Sequence, residues 1–259
     1  MADGQDHGGA MAAVIDPQES LAAIRTLTAK ALAGIPTGEP AFDCLGVVAR
    51  ECGITARMAE DVIEGFALDA ADWHPRRESD LYQYCYHVAG AVGVMMAVVM
   101  GVPADDDATL DRACDLGLAF QLANIARDIA EDDAAGRCYL PDDWLATLDI
   151  APGEHMKPHN RKKLALMGRW LADEAEQYEA SARVGAAHLP LRARWAVLSA
   201  AGIYGEIARK VRAADSHAWD QRIFTSRPEK FRWVRKAFVD AIANNPRDTN
   251  RDMLWTRVR

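Results

Sequence analysis

The constraint that bears hardest on the fold of this chain is that helical signals follow one another almost without a break, and nothing alternates as a strand would. Asp16-Pro17-Gln18-Glu19 offers a cap, a proline at the first helical position and a glutamate three after the cap, and its helix is expected to end at Gly34 before Pro36. Further helices are predicted over 40–52, stopped by Gly53, over 55–72, over 80–100 before Gly101-Val102-Pro103, and over 107–132. After a connecting stretch, "AAGRCYLPDDWLATLDIAPGEHMKPHN", long helices fit 160–187, 191–214 and 228–243, with Pro190 and Pro228 near starts. No repeat period and no Pro/Gly/Ser linker divides the chain, so the expectation is one all-α domain.

A length of 259 residues with half of them hydrophobic is enough for a large buried core. The five cysteines are odd in number and scattered, with no C-x-x-C spacing, which argues against a disulfide framework and a zinc cluster and fits a reducing cytoplasm. No apolar run reaches the ~18–20 residues that span a bilayer, and "MADGQDHGG" has neither the basic start nor the apolar core of a signal peptide. The net charge of −8 is uneven: Arg192–Arg259 carries 15 Lys and Arg against 7 Asp and Glu. Such a basic quarter is first a solvated face and second a surface for anionic headgroups or diphosphates; nothing points to nucleic acid.

One segment, "LGLAFQLANIARDIAEDD", places charge where a helix is ready to be buried. Gln121, Asn124, Asp128 and Asp132 are spaced by three, four and four, which stacks them on one stripe, while Leu118, Leu122, Ala126, Ile129 and Ala130 make a wide apolar arc. Carboxylates one turn apart repel, and desolvating them costs several kcal/mol each unless something positive lies between. Oxygen donors from Asp, Asn and Gln, with no thiols or paired histidines, suit a hard divalent ion such as Mg²⁺, which completes its shell with water and phosphate oxygens. Arg127 and Arg137, beside the stripe, suit bidentate capture of a phosphate. An ordinary solvated acidic face would need neither the amides nor the apolar arc.

A second stretch, "YQYCYHVAGAVGVMM", aligns Tyr84, Val88, Ala91 and Met95 and carries Ala89, Gly90 and Gly93 inside a helix, where each glycine costs roughly 1 kcal/mol against alanine. Either a neighbouring helix packs backbone to backbone there or a bulky apolar ligand lies against it. His87 reads as a packed or capping histidine, and Trp144, Trp170, Trp195 and Trp233 read as core.

Together these stretches resemble the squalene/phytoene synthase family. Tyr84, Cys85, Val88, Ala89, Gly90, Val92 and Gly93 match its first signature, and Gly117, Gln121, Asn124, Arg127, Asp128 and Asp132, continued by Arg137, Tyr139 and Pro141, match its second. The stretch "IYGEIARKVRAADSHAWDQRIFTSRPEKF" is similar to the bacterial phytoene-forming branch. The resemblance implies an isoprenoid-synthase helical bundle around a central cavity lined by two aspartate-rich motifs. It implies a reaction of carotenoid biosynthesis, in which two geranylgeranyl diphosphates condense through a cyclopropylcarbinyl diphosphate to phytoene, with Mg²⁺ or Mn²⁺ and no NADPH. On that reading Tyr84, Asp128 and Asp132 are catalytic, and Asp128, Asp132 and Asn124 hold metal. Arg127, Arg137, Asn124, Gln121 and Tyr204 bind diphosphate, and Asp69 in "GFALDA" faces the cavity. A substrate and product this greasy imply peripheral contact with the inner face of a membrane.

The family's first aspartate-rich motif is expected upstream of everything quoted. Asp3-Gly4-Gln5 resembles its last aspartate with the residues that follow, so the chain is expected to begin inside the motif, to lack the preceding helices, and in this form to bind metal weakly and turn over poorly. Two rival readings are a squalene or dehydrosqualene synthase using farnesyl diphosphate and a non-catalytic relative that keeps the fold as an interaction scaffold; the intact Asp128, Asp132, Arg127 and Arg137 argue against the scaffold.

Overall fold

A computed structural model describes residues 16–71, 73–247 and 249–258, and Asp3, singled out above, lies outside them. The described residues are helical with no strand. Helices α1 (Pro17–Leu32), α2 (Pro40–Cys52) and α3 (Ala56–Ala70) are followed by α4 (Glu78–Cys85), a π-helical turn (Tyr86–Gly90) and α5 (Ala91–Val99). Then come α6 (Asp107–Ala134), a short α7 (Asp142–Thr147), α8 (Arg161–Ala186), α9 (Leu191–Ala214) and α10 (Arg227–Ala243).

The caps act much as their chemistry dictates. Asp16 accepts from the Gln18 amide at 3.0 Å, Thr55 from the Met58 amide at 3.2 Å, and Gly53 ends α2 in the left-handed region at φ 83°. Helix α4 starts at Glu78, before the expected Asp80, because the Asp80 carboxylate reaches back to the amides of Arg76 and Arg77 at 3.1 and 2.9 Å. Helix α3 stops at Ala70; its expected end, residue 72, is not described. The connecting stretch holds α7 and a 3₁₀ turn at Pro158–Asn160.

Helix α6 is the axis of the molecule, packed against α8, α9, α5 and the π turn, while α3 leans on the π turn and α5, and α10 covers α9. The apolar arc read from the sequence is buried here: Leu118, Leu122 and Ala126 are fully enclosed and Ile129 nearly so. Its close neighbour is the glycine stretch. A side chain at Gly117 would meet the Ala89 carbonyl oxygen at 2.4 Å, and one at Gly93 would meet the Ala113 oxygen at 2.5 Å, so backbone packs on backbone. The chain end folds back onto α6 as a strap. Arg251 grips the fully buried Asp115 at 2.7 and 2.8 Å, and Arg257 reaches Asp111 at 2.8 Å. Of the four tryptophans read as core, Trp144 and Trp170 meet each other edge to face and pack on the core, whereas Trp195 is 38% exposed and Trp233 lies half-buried among Arg209, Arg232 and Lys236. Those two sit on the outer α9/α10 layer, where α10 covers only one side.

Candidate active site

The π turn re-aims the first stretch. A π-helical turn holds an extra residue, so the stripe expected from straight α-geometry shifts. Val88, Ala89, Val92, Gly93 and Met96 face a cavity of about 500 Å³, while Ala91, expected on the Tyr84 stripe, turns into the core. The cavity runs between α5, α6, α8 and α9 and is walled largely by small side chains, among them Ala113, Gly117, Ala182, Gly185, Ala186 and Ala200. Of the two readings left open for the glycine stretch, backbone packing on α6 is observed, and the same stretch also borders an apolar concavity.

One end of that cavity is polar. Gln121, Asn124 and Tyr204 line it, and Tyr204 stacks on Phe120 with ring centroids 4.3 Å apart. The Asn124 side-chain oxygen is buried with no hydrogen-bond partner, an acceptor left unsatisfied in a folded core. Asp128 and Asp132 continue the same stripe one and two turns on, both half-buried rather than in bulk solvent. Asp128 accepts from Nε of Arg127 at 2.7 Å and more closely from its Nη2, and Arg222 approaches it at 3.1 Å. Among the described residues no cation pairs with Asp132 in this way. Burial first, and the Asp128 charge second, push its carboxyl up to about 6, with Arg137 opposing.

Like Asp69, which was expected to face that cavity, Tyr84 on α4 stands outside its lining. Its hydroxyl donates to Asp69 at 2.8 Å, and its ring is sandwiched between Trp73 at 5.1 Å and Tyr139 at 5.0 Å, with interplanar angles of 12° and 23°. Both faces are thus covered, so Tyr84 presents a hydroxyl edge. Burial drives its pKa upward, which keeps the phenol protonated, and burial likewise raises Asp69. Arg137 ties the two stretches together: its charge acts on both Asp69 and Asp132, and its hydrogen bonding to Tyr139 raises its own pKa. Asp69, Tyr84, Tyr139, Arg137 and Asp132 therefore form a continuous polar string beside the acidic stripe. His87 accepts its packing role, with Nδ1 2.9 Å from the Asp61 carbonyl oxygen.

Arg222 and Trp73 belong to this site and are missed by spacing arguments. Arg222 is 94 residues from Asp128 in sequence and follows no periodicity with it, and Trp73 stands in the turn after α3. The donor set for a cation is two carboxylates and the orphaned Asn124 oxygen. Among the described residues no group of three or more His, Cys, Asp and Glu side chains is set to hold a metal by itself. A hard divalent ion fits such a half-built oxygen shell, provided water and substrate oxygens complete it.

Residues 2–229 match the family described as squalene/phytoene synthase. A phytoene synthase of Pseudescherichia vulneris is 46% identical over 98% of this chain and 83% of its own length, and a 15-cis-phytoene synthase of Pantoea ananas is 46% identical over 93% and 78%. The crystal structure of a dehydrosqualene synthase with ligand superposes with a TM-score of 0.79 at 27% identity, covering 87% of this chain and 79% of that one. The chain belongs to the squalene/phytoene synthase family.

Proposed function

We propose that this protein is a prenyltransferase that condenses two geranylgeranyl diphosphates head to head into phytoene, losing one diphosphate and one proton in each half of the reaction. The observation that carries the reading is an apolar cavity walled by the first signature stretch that opens, at Gln121, Asn124 and Tyr204, onto the acidic stripe of the second, in a chain 46% identical to phytoene synthases. A 15-cis-phytoene synthase of Enterobacter agglomerans, 47% identical over 85% of this chain, weighs the same way, and favours a C20 over a C15 substrate. The chemistry belongs in the reducing cytoplasm that free cysteines tolerate.

In this reading the prenyl chain lies against Val88, Ala89, Val92 and Met96 with its diphosphate toward Gln121, Asn124 and Tyr204. Asp128, Asp132 and Asn124 hold Mg²⁺, or Mn²⁺, which when bound supplies charge stabilisation to the departing diphosphate. Arg127 and Arg222 lie on Asp128, and in this reading both turn from it to the diphosphate, where Arg137 joins them. The dry wall protects the allylic cation from water, and the Tyr84 hydroxyl, whose proton is held by Asp69 and whose ring is held by the stack, turns its oxygen lone pairs toward the cationic intermediate. NADPH has no role in a reaction that ends at phytoene.

Incubation of the protein and Mg²⁺ with geranylgeranyl diphosphate or farnesyl diphosphate, at enzyme in excess of substrate, separates the readings. A C40 hydrocarbon is expected from the first. A C30 product formed faster from the second would replace the substrate, and no hydrocarbon from either would leave the scaffold reading.

A further inference from the structure

The outer face of α10 sets large apolar side chains in solvent. Phe231, Arg235, Phe238, Val239 and Ile242 share an arc of about 100° on the helix, opposite the buried Ala237 and Ala241. Phe231 is 65% exposed, Val239 64% and Ile242 60%. The patch runs on to α9, where Trp195 meets Phe238 edge to face at 5.2 Å and Leu191 stands half in solvent. Apolar groups of this size in one strip are a marker of an interaction surface rather than of chance.

Its charge runs against that of the chain. Helix α10 carries Arg227, Lys230, Arg232, Arg235 and Lys236 against Glu229 and Asp240, in a protein of net charge −8. Both acidic groups are already engaged: Glu229 caps the helix at Ser226 and pairs with Lys210 at 2.7 Å, and Asp240 pairs with Lys236 at 2.7 Å. Arg227 and Arg235 are exposed within the apolar strip, and the Arg235 guanidinium lies over the Phe231 ring at 6.0 Å. Bulky apolar side chains interleaved with cations on one helical face are what lies flat in a headgroup layer, rings and aliphatics below, cations at the phosphates.

We propose that this face docks the protein on an anionic lipid surface. A second copy of the chain fits it less well, because a two-fold contact sets each residue's patch against itself and would bring Arg227 and Arg235 to a shared dry seam with their own copies. Charge complementarity selects phosphate headgroups instead. The surface is separate from the cavity and from the polar string, so the proposal stands or falls independently of the reaction.

Co-sedimentation with vesicles tests it, using phosphatidylcholine alone and an equimolar mixture of phosphatidylglycerol and phosphatidylcholine. Binding to the mixed vesicles and not to the neutral ones is expected. The double substitution Arg227→Gln/Arg235→Gln should weaken partitioning about thirtyfold, the effect of removing two cations from near an anionic surface. Phe231→Ser/Val239→Ser should lose binding at unchanged charge, with helical circular dichroism and the thermal midpoint retained because all four side chains are exposed. Equal binding to both vesicles, or wild-type binding by both variants, overturns the proposal. So does absence of vesicle binding together with a dimer in sedimentation equilibrium that Phe231→Ser dissolves.

Discussion

Substituting Gly117 by alanine sets two well-known effects against each other with opposite signs. Gly117 is interior to α6, where alanine is favoured by about 1 kcal/mol through helix propensity alone. The added methyl, however, would lie 2.4 Å from the Ala89 oxygen, 2.5 Å from its carbonyl carbon and 2.6 Å from the Gly90 Cα, all of them backbone atoms. Comfortable carbon contacts begin at about 3.5 Å, so α6 and the π turn must part by about 1 Å. Overpacking of this kind costs about 1–3 kcal/mol, and more where no flexible side chain can yield. A net loss of about 2 kcal/mol follows, or a fall of about 4–8 °C in thermal midpoint for a domain of this size. Ala89 and Gln121 border the cavity on either side of the contact, so product formation should fall as well. Differential scanning calorimetry decides the matter. A midpoint that rises would show that propensity wins and that the α6 contact with the π turn is looser than described.

The other expectations concern the polar string, the strap and the α10 cap. Tyr84→Phe keeps the ring stack and removes the hydroxyl with its bonds to Asp69 and Tyr139; stability should drop by about 1 kcal/mol while the single-turnover rate falls about tenfold or more, measured by urea titration and product extraction. Arg251→Met strands the fully buried Asp115, at a cost of about 3 kcal/mol or more in urea titration, and the added change Asp115→Leu should recover part of that loss by removing the orphaned charge. Glu229 is held down to about 2 from an ordinary 4.5 by Lys210 and Ser226. Because its folded value is the lower one, its contribution is complete above about pH 4.5 and disappears as pH falls toward about 2, so Glu229→Gln should flatten the midpoint-against-pH curve in that window.

Most of the helical frame can be read from local chemistry. Proline at a first helical position and glycine just past an end give α2 its limits at Pro40 and Cys52, and Pro190 opens α9. The buried arc and the acidic stripe of α6 follow from a period of 3.6, which holds along its whole length. The same arithmetic misleads in α5, because the π turn before it adds a residue to the turn; α3 packs there with Gly65 close to the His87 backbone. Trp195 reads as core by size, yet its exposure depends on α10 covering only one side of α9, a fact of tertiary layout. Arg222 reaches Asp128 only because the turn after α9 returns to α6, and long-range return paths leave no periodic trace.

The account rests on the acidic stripe acting with a divalent cation on a diphosphate, and calorimetric titration of inorganic pyrophosphate with and without Mg²⁺ addresses it directly. Binding that needs Mg²⁺ is expected for the wild type, weakened by roughly a hundredfold or more in Asp132→Asn, since even residues one step removed from a metal cost 10- to 100-fold. Pyrophosphate affinity that is the same without Mg²⁺, or untouched by Asp132→Asn, would contradict it.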